Sequence, residues 1–452
     1  MNAPAAGTRR LALWLFLAAL AVYNVNGREI ASYDSQPTKF AARELALHGR
    51  LTLDAVVAEA PALAFRHSFQ KDRDGHFRSA YSVVPSIEAA VPAWLLHRAG
   101  IVDLRAPLAP ALVAALAASL LTAGGVVLAF LALTRWTGRR AALLVAVGLA
   151  FGTNLWPLSS RALWQIETVT FGMALSLYAW WRPREALGGG QVCLGALGLA
   201  LAGTARLETA PMIALLLVGL ASRVGLRRAL PAFGIVAVAA GTIMLAQHSW
   251  FGSVLGAKLR LQETGLEAHG VTGTLSARPW EGAAGLLVSP SRGLLVFSPI
   301  ALVPLIGLRA SWRRSSDSGS GWWTAAALLQ FAAYACYSMW WGGHTYGPRY
   351  VLDALVPLVP AAAAGMTWVA ARAWRRAAGA VALAWSIAVA ATGAFCYPHD
   401  SWNTNPRDID RYHERLWQWH DPQILRAWRQ GPSPQNFGLF DRAAFRRPTS
   451  QP

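Results

Sequence analysis

Apolar residues in this chain fall in long unbroken runs, not at the short spacing of an amphipathic helix. The runs cover 11–22, 107–134, 141–156, 168–181, 192–204, 211–221, 229–246, 293–308, 322–340, 351–369 and 377–395. A helix needs about 20 such residues to cross the ~30 Å hydrocarbon core of a bilayer. The pattern therefore predicts an all-α polytopic membrane protein with about eleven spans. Two runs, 192–204 and 211–221, are short for a full crossing. Read as a re-entrant hairpin, they reduce the count to about nine without changing the sidedness of anything else.

Sidedness comes from arginine. Arg9/Arg10, Arg135/Arg139/Arg140, Arg182/Arg184, Arg223/Arg227/Arg228, Arg309/Arg313/Arg314 and Arg372/Arg375/Arg376 occupy every second connection, so all fall on one face. The positive-inside rule makes that face cytoplasmic. The first run, preceded by Arg9/Arg10 and followed by Tyr23-Asn24-Val25-Asn26, then reads as an uncleaved signal anchor with the N-terminus inside. Residues 1–395 form the transmembrane domain, and the tail from 396 to 452 lies outside. The outward connections are 27–105, 157–167, 205–210, 247–292 and 341–350. Within the first, the semi-apolar stretch 83–96 is interrupted by Pro85, Glu88 and Pro92, which predicts a helix lying at the interface.

Composition agrees. The 452 residues are 54% hydrophobic and only 14% charged, against about a quarter charged in soluble domains. The net charge of +18 is distributed as loop clusters between spans, which excludes nucleic acid as the partner and names the bilayer instead. Cys193, Cys336 and Cys396 have no close spacing, and the ten histidines are scattered, so neither a disulfide framework nor a metal centre is indicated. A phosphate-cradling GxxxxGK[ST] loop and a Gly-x-Ser-x-Gly elbow are both absent.

The polar candidates gather on the outer face. Asp34, in Tyr33-Asp34-Ser35-Gln36-Pro37, reads either as a helix N-cap or as a general base at the membrane surface. Arg161 and Glu167, and Arg206 and Glu208, stand at the outer ends of helices. Arg206 and Glu208 read either as a structural ion pair at the hairpin tip or, for Arg206, as a fork gripping a lipid-linked phosphate. The segment Trp341-Gly342-Gly343-His344-Thr345-Tyr346-Gly347-Pro348-Arg349-Tyr350 joins interfacial aromatics to His344 and Arg349, and Ser289-Pro290-Ser291-Arg292-Gly293 is a similar outward element.

Several of these segments carry a resemblance: Asp34-Ser35-Gln36-Pro37 with His48-Gly49-Arg50-Leu51-Thr52-Leu53-Asp54, Arg161-Ala162-Leu163-Trp164-Gln165, 289–299, 341–350, and Arg415-Leu416-Trp417-Gln418-Trp419. Together with the signal anchor and long first outer loop, the chain resembles the GT-C superfamily of integral membrane glycosyltransferases. More narrowly, it is similar to bacterial members related to protein O-mannosyltransferases and the lipid A aminoarabinose transferase. That resemblance implies a polyprenyl-phosphate-linked sugar donor, an extracytoplasmic lipid, glycan or protein acceptor, and an inverting displacement in a bacterial cytoplasmic membrane. It implies Asp34 as catalytic base, Glu167 as a second acid, and Arg206, with Glu208, Arg161, His344, Arg349 and Arg292, on substrate and phosphate. It requires no cofactor. Ser35 stands where the mannosyltransferases place a second acid, and Val84-Pro85-Ser86 lies near where the aminoarabinose enzyme has Lys-Pro-Pro. The rival class is a transporter or lipid-linked-glycan flippase, which would carry charges near the bilayer midplane and matched halves.

Overall fold

The computed structural model describes residues 6–28, 30, 32–258, 261, 273–276, 278–313, 318–397 and 401–440. The described chain is mostly helical. We number α1 (Ala6–Asn24), α2 (Gln36–His48), α3 (Asp54–Glu59), α4 (Val84–Arg98), α5 (Ala109–Leu133), α6 (Arg139–Phe151), α7 (Ile166–Trp180), α8 (Gly189–Ala205), α9 (Ala210–Val224), α10 (Leu226–Phe251), α11 (Pro279–Val288), α12 (Leu302–Arg313), α13 (Ser320–Ala335), α14 (Val359–Ala370), α15 (Ala373–Phe395) and α16 (Gln423–Gln430). An antiparallel hairpin, β1 (Phe69–Lys71) with β2 (Phe77–Ser79), sits between α3 and α4.

Each apolar run lies on helix. Among the described residues, five helices are long and apolar enough to cross a membrane: Ala6–Asn24, Ala109–Leu133, Leu207–Val224, Leu226–Phe251 and Ala373–Phe395. The arms of the 192–221 hairpin are α8 and α9, of 17 and 15 residues, joined by the turn Leu207–Thr209. At 1.5 Å per residue they reach ~25 and ~22 Å. Two runs break at proline. Ser298 leaves helical geometry (φ −139°) before Pro299, and the helical turn Leu352–Leu355 stops short of Pro357. Proline lacks the amide a helix interior needs and pushes the preceding residue out of the α region.

With lipid outside, helices associate through close packing rather than through hydrophobic burial. Gly172 of α7 and Gly198 of α8 show this: a Cβ on either would stand 2.4 Å from the other's carbonyl oxygen. Gly307 and Gly365 bring α12 and α14 together equally tightly, with a Cβ falling 1.9 Å from the Ala361 oxygen and 2.0 Å from the Val303 oxygen. α10 is the contrary case. Of its side chains only Ala229, Ala232 and Gln247 are buried, and Val238 and Leu245 project outward.

Two ends of the bundle differ chemically. At one, Arg135 donates to the Tyr178 carbonyl (2.6 Å), and Arg223 donates to those of Trp180 (2.9 Å) and Arg182 (2.6 Å). At the other, the first long connection folds over the helices. The expected interfacial segment is α4, whose Ile87, Val91, Trp94 and Leu95 face outward. α4 is pinned to α2 by Ser86 Oγ donating to the Thr38 carbonyl (2.9 Å). The β-hairpin reaches α10 through Arg73 N–H to the Trp250 carbonyl (2.8 Å) and the Arg78 guanidinium 4.6 Å above the Trp250 ring.

The tail contributes Trp402, Ile409, Leu416 and Ile424 to the main buried cluster of the bundle. It then returns to the first connection, where Phe437 and Leu439 amides bond the Asn26 and Gly27 carbonyls at 2.6 and 2.8 Å.

Candidate functional site

Where α2 begins, the chain turns at Tyr33-Asp34-Ser35, and Ser35 rather than Asp34 holds the N-cap position. Asp34 is thus spared from capping. One carboxylate oxygen accepts from Tyr81 Oη (2.7 Å), the other from Arg349 Nη1 (3.1 Å), and His67 Nε2 lies 3.7 Å away. Burial acts to raise the Asp34 carboxyl, but the His67 imidazole, the Arg349 charge and the Tyr81 hydroxyl outweigh it and hold it well below the usual carboxylate range. Burial, and then the Asp34 charge, push the Tyr81 hydroxyl well above the ordinary phenol value.

Arg349 reaches this point from the glycine-rich loop. Gly347 there has φ +63°, and a Cβ would collide with the Phe297 ring and the Asn154 amide at 2.5 and 2.6 Å, so glycine is required. The Arg349 guanidinium lies 5.3 Å from both the Trp164 and Tyr350 rings. Tyr350 stacks on Tyr334 with centroids 4.7 Å apart, and Arg206 lies 5.6 Å from each ring.

Arg206 does not pair with Glu208. Its Nη1 binds Asp353 Oδ1 at 3.2 Å, and the other Asp353 oxygen accepts from Tyr334 Oη at 2.5 Å. Glu208 instead accepts from Lys258 Nζ at 2.6 Å. Apart from Asp353, which stands behind Arg206 and Tyr334, these groups line one cavity of about 830 Å³, within the range of small-ligand sites. Its walls include Asp34, His67, Tyr81, Trp164, Arg206, Glu208, Lys258, Tyr334, Arg349 and Tyr350, with an apolar flank from Ala240, Ile243 and Met244 of α10. The cavity pairs an ionised, held carboxylate with two arginines and aromatic faces beside a surface fit for an alkyl chain.

Asp34, Arg206, Glu208 and Arg349 therefore converge; four other sequence candidates do not line this cavity. Glu167 is fully buried and accepts the Trp164 and Gln165 amides, both at 3.1 Å, so its carboxylate is occupied in capping α7. Arg292 is fully buried and donates to the Trp341, Ser291 and Gly343 carbonyls and to the Gln423 and Asn403 side chains at 2.7–3.1 Å, clamping the tail to the glycine-rich loop. His344 turns to Asp408 (3.0 Å) and Asp410 (3.4 Å). Among the described residues this trio is the one group whose donor atoms, within 4.8 Å of one another, are arranged as a metal would need. Arg161 borders a separate small cavity.

Tyr81, His67, Lys258, Tyr334 and Asp353 were missed in the sequence. Asp353 sits inside an apolar run, where a carboxylate is costly without a partner, and that was the available signal.

No family model matches the chain, and no curated protein matches it at a significant level. Solved structures do. A crystal structure of the Archaeoglobus fulgidus oligosaccharyltransferase tethered to an acceptor peptide containing the NVT sequon superposes with TM-score 0.51 and 12% identity, over 94% of this chain and 60% of that one. The oligosaccharyltransferase AglB of the same organism, in complex with an inhibitory peptide and a dolichol-phosphate, gives TM-score 0.53 and 13% identity, over 99% and 62%. The chain thus shares the fold of these two structures, and it spans about three-fifths of their length.

Proposed function

We propose that this chain is a membrane glycosyltransferase, with about eleven spans (nine if the 192–221 hairpin is re-entrant), a cytoplasmic N-terminus and an extracytoplasmic tail. It moves a sugar from a polyprenyl-phosphate-linked donor to an acceptor outside a bacterial cytoplasmic membrane. The observation carrying this reading is the single cavity in which Asp34 faces Arg349 and Arg206 beside the apolar flank of α10. The shared fold supports it, since one neighbour binds a dolichol-phosphate and both bind peptides.

In this reading the acceptor's hydroxyl or amine attacks the anomeric carbon opposite the phosphate. The glycosidic C–O bond to phosphate breaks with inversion, polyprenyl phosphate departs with the bonding pair, and the acceptor's proton passes to Asp34. Asp34 is a weak base, so it takes the proton only as the acceptor acidifies in forming its new bond. Arg206 and Arg349 offset the charge developing on the leaving phosphate, and the Tyr334–Tyr350 stack gives the sugar a face to lie against.

The test is Asp34→Asn in proteoliposomes, scored against lipid-phosphate sugars. The expected rate falls about 10²–10⁴-fold while the protein remains folded. An undiminished rate overturns the base assignment. Mass spectrometry of envelope glycans and lipids from a deletion strain identifies the missing sugar, and an unchanged glycan and lipid profile would overturn the transferase reading.

A further inference from the structure

Outside the main cavity, the tail meets the glycine-rich loop at a cluster of one imidazole and two carboxylates. His344 Nε2 stands 3.0 Å from Asp408 Oδ1 and 3.4 Å from Asp410 Oδ2, and the three donor atoms all lie within 4.8 Å of one another. Ligand atoms around a tetrahedral ion, each about 2.0–2.2 Å from it, are about 3.3–3.6 Å apart, and both separations are close to that spacing. A hydrogen bond explains only part of the arrangement, because Nε2 carries at most one proton and faces two carboxylates. Asp410 is held in place: its side chain is 8% exposed, and its other oxygen accepts from Trp341 Nε1 at 2.7 Å. An outer partner of this kind orients a ligating carboxylate. Asp408 and His344 are partly exposed, at 38% and 39%, which leaves one side open to an entering ion.

We propose that His344, Asp408 and Asp410 bind one divalent transition-metal ion of the zinc or manganese class, with solvent completing its coordination. An imidazole beside carboxylates suits such ions, whereas calcium and magnesium favour shells made of oxygen alone. On binding, Nε2 gives its lone pair to the metal, and any proton it carries is released to solvent. The chain runs 64 residues from His344 to Asp408, so no close ligand spacing marks the site in the sequence. The ion would staple the tail to the loop whose Gly342 and Gly343 line the main cavity and which leads on to Arg349. Arg292 already ties these two segments through the Gly343 carbonyl and the Asn403 side chain, and the metal would add a second tie. Its role is to hold one wall of the cavity, whatever reaction takes place inside.

The experiment strips the purified full chain with a chelator and titrates it with the chloride of zinc, manganese, calcium or magnesium. Thermal unfolding and metal analysis after desalting are the readouts, and neither depends on activity. Zinc or manganese is expected to be retained at one equivalent per chain and to raise Tm saturably by about 3 °C or more, with calcium and magnesium ineffective. His344→Ala and Asp408→Asn, both at partly exposed positions, are expected to lose the retained metal and the increment. Wild-type crystals soaked in the retained metal are expected to show an anomalous peak about 2.0–2.2 Å from His344 Nε2, a readout that stands even if the variants fail to fold. No retained metal, an equal increment with calcium or magnesium, an increment kept in both variants, or peaks only at other histidines, meaning an adventitious ion only, overturns the proposal.

Discussion

Asp34 carries opposite demands, as a group held ionised by its neighbours and, in the proposed reaction, as the acceptor of a proton. Its folded-state carboxyl lies below the ordinary value, so its contribution to stability is fully present above about pH 4 and is lost as pH falls through the depressed native value. Thermal scans from pH 8 to 3 should show an acid-side loss that is smaller in Asp34→Asn, measured as the difference in Tm between the two proteins at each pH. Arg206→Lys keeps the charge but not the planar fork set between Asp353 and the tyrosine stack. The expected outcome is a kcat/KM for donor lowered about 10-fold, roughly 1.4 kcal/mol, carried mainly by kcat because the lost contact is to charge that develops in the reaction. Arg206 and Arg349 were legible in the sequence as arginines at the ends of apolar runs. Their partners were not, because Asp353 lies 147 residues from Arg206 and Asp34 lies 315 from Arg349, and only folding brings each pair together. Glu167 had the right residue type and the right end of its helix, yet the nearest orphan amides claim its carboxylate.

Among helices, two contacts decide whether the cavity keeps its shape. Gly365→Leu would drive a side chain into the Val303 backbone, which cannot yield as a flexible side chain would. A destabilisation of about 3 kcal/mol, read from reversible unfolding in detergent or bicelles, is expected. Arg292→Met would leave the Gln423 and Asn403 oxygens and three carbonyls without their donor. Limited proteolysis should then cut within 401–440 at least about ten times faster than in wild type, with α1–α15 intact. Hydropathy revealed these helices well, because a long apolar run has few alternatives to helix in lipid. It missed the breaks at Ser298-Pro299 and before Pro357, and it missed the anchoring of the tail. The tail's Trp402, Leu416 and Ile424 are spaced among polar residues, and they form an apolar surface only when wrapped against the bundle.

At the level of the whole molecule, Arg135 and Arg223 converge on the end of α7, donating to the Tyr178, Trp180 and Arg182 carbonyls. The sequence assigns the arginine-rich connections to the cytoplasm by six clusters under one rule, an orientation that labelling tests. In a cysteine-free background, Arg313→Cys should label only after permeabilising the cytoplasmic membrane, and Thr404→Cys should label in intact spheroplasts. Labelling of both from the same side would refute the assigned topology. The cavity itself could not be read from the chain, because its walls come from six widely separated segments and its volume belongs to none of them.

The flank that α10 presents to the cavity has a kinetic meaning. With one surface facing lipid and the other the site, it would make the relevant concentration of the proposed lipid-linked donor a mole fraction in the bilayer rather than a molarity in the buffer. Diluting proteoliposomes tenfold at fixed lipid composition should leave turnover per enzyme unchanged. Diluting the proposed donor tenfold among inert lipids at constant bulk amount should lower it, because the protein samples that substrate by diffusion in two dimensions.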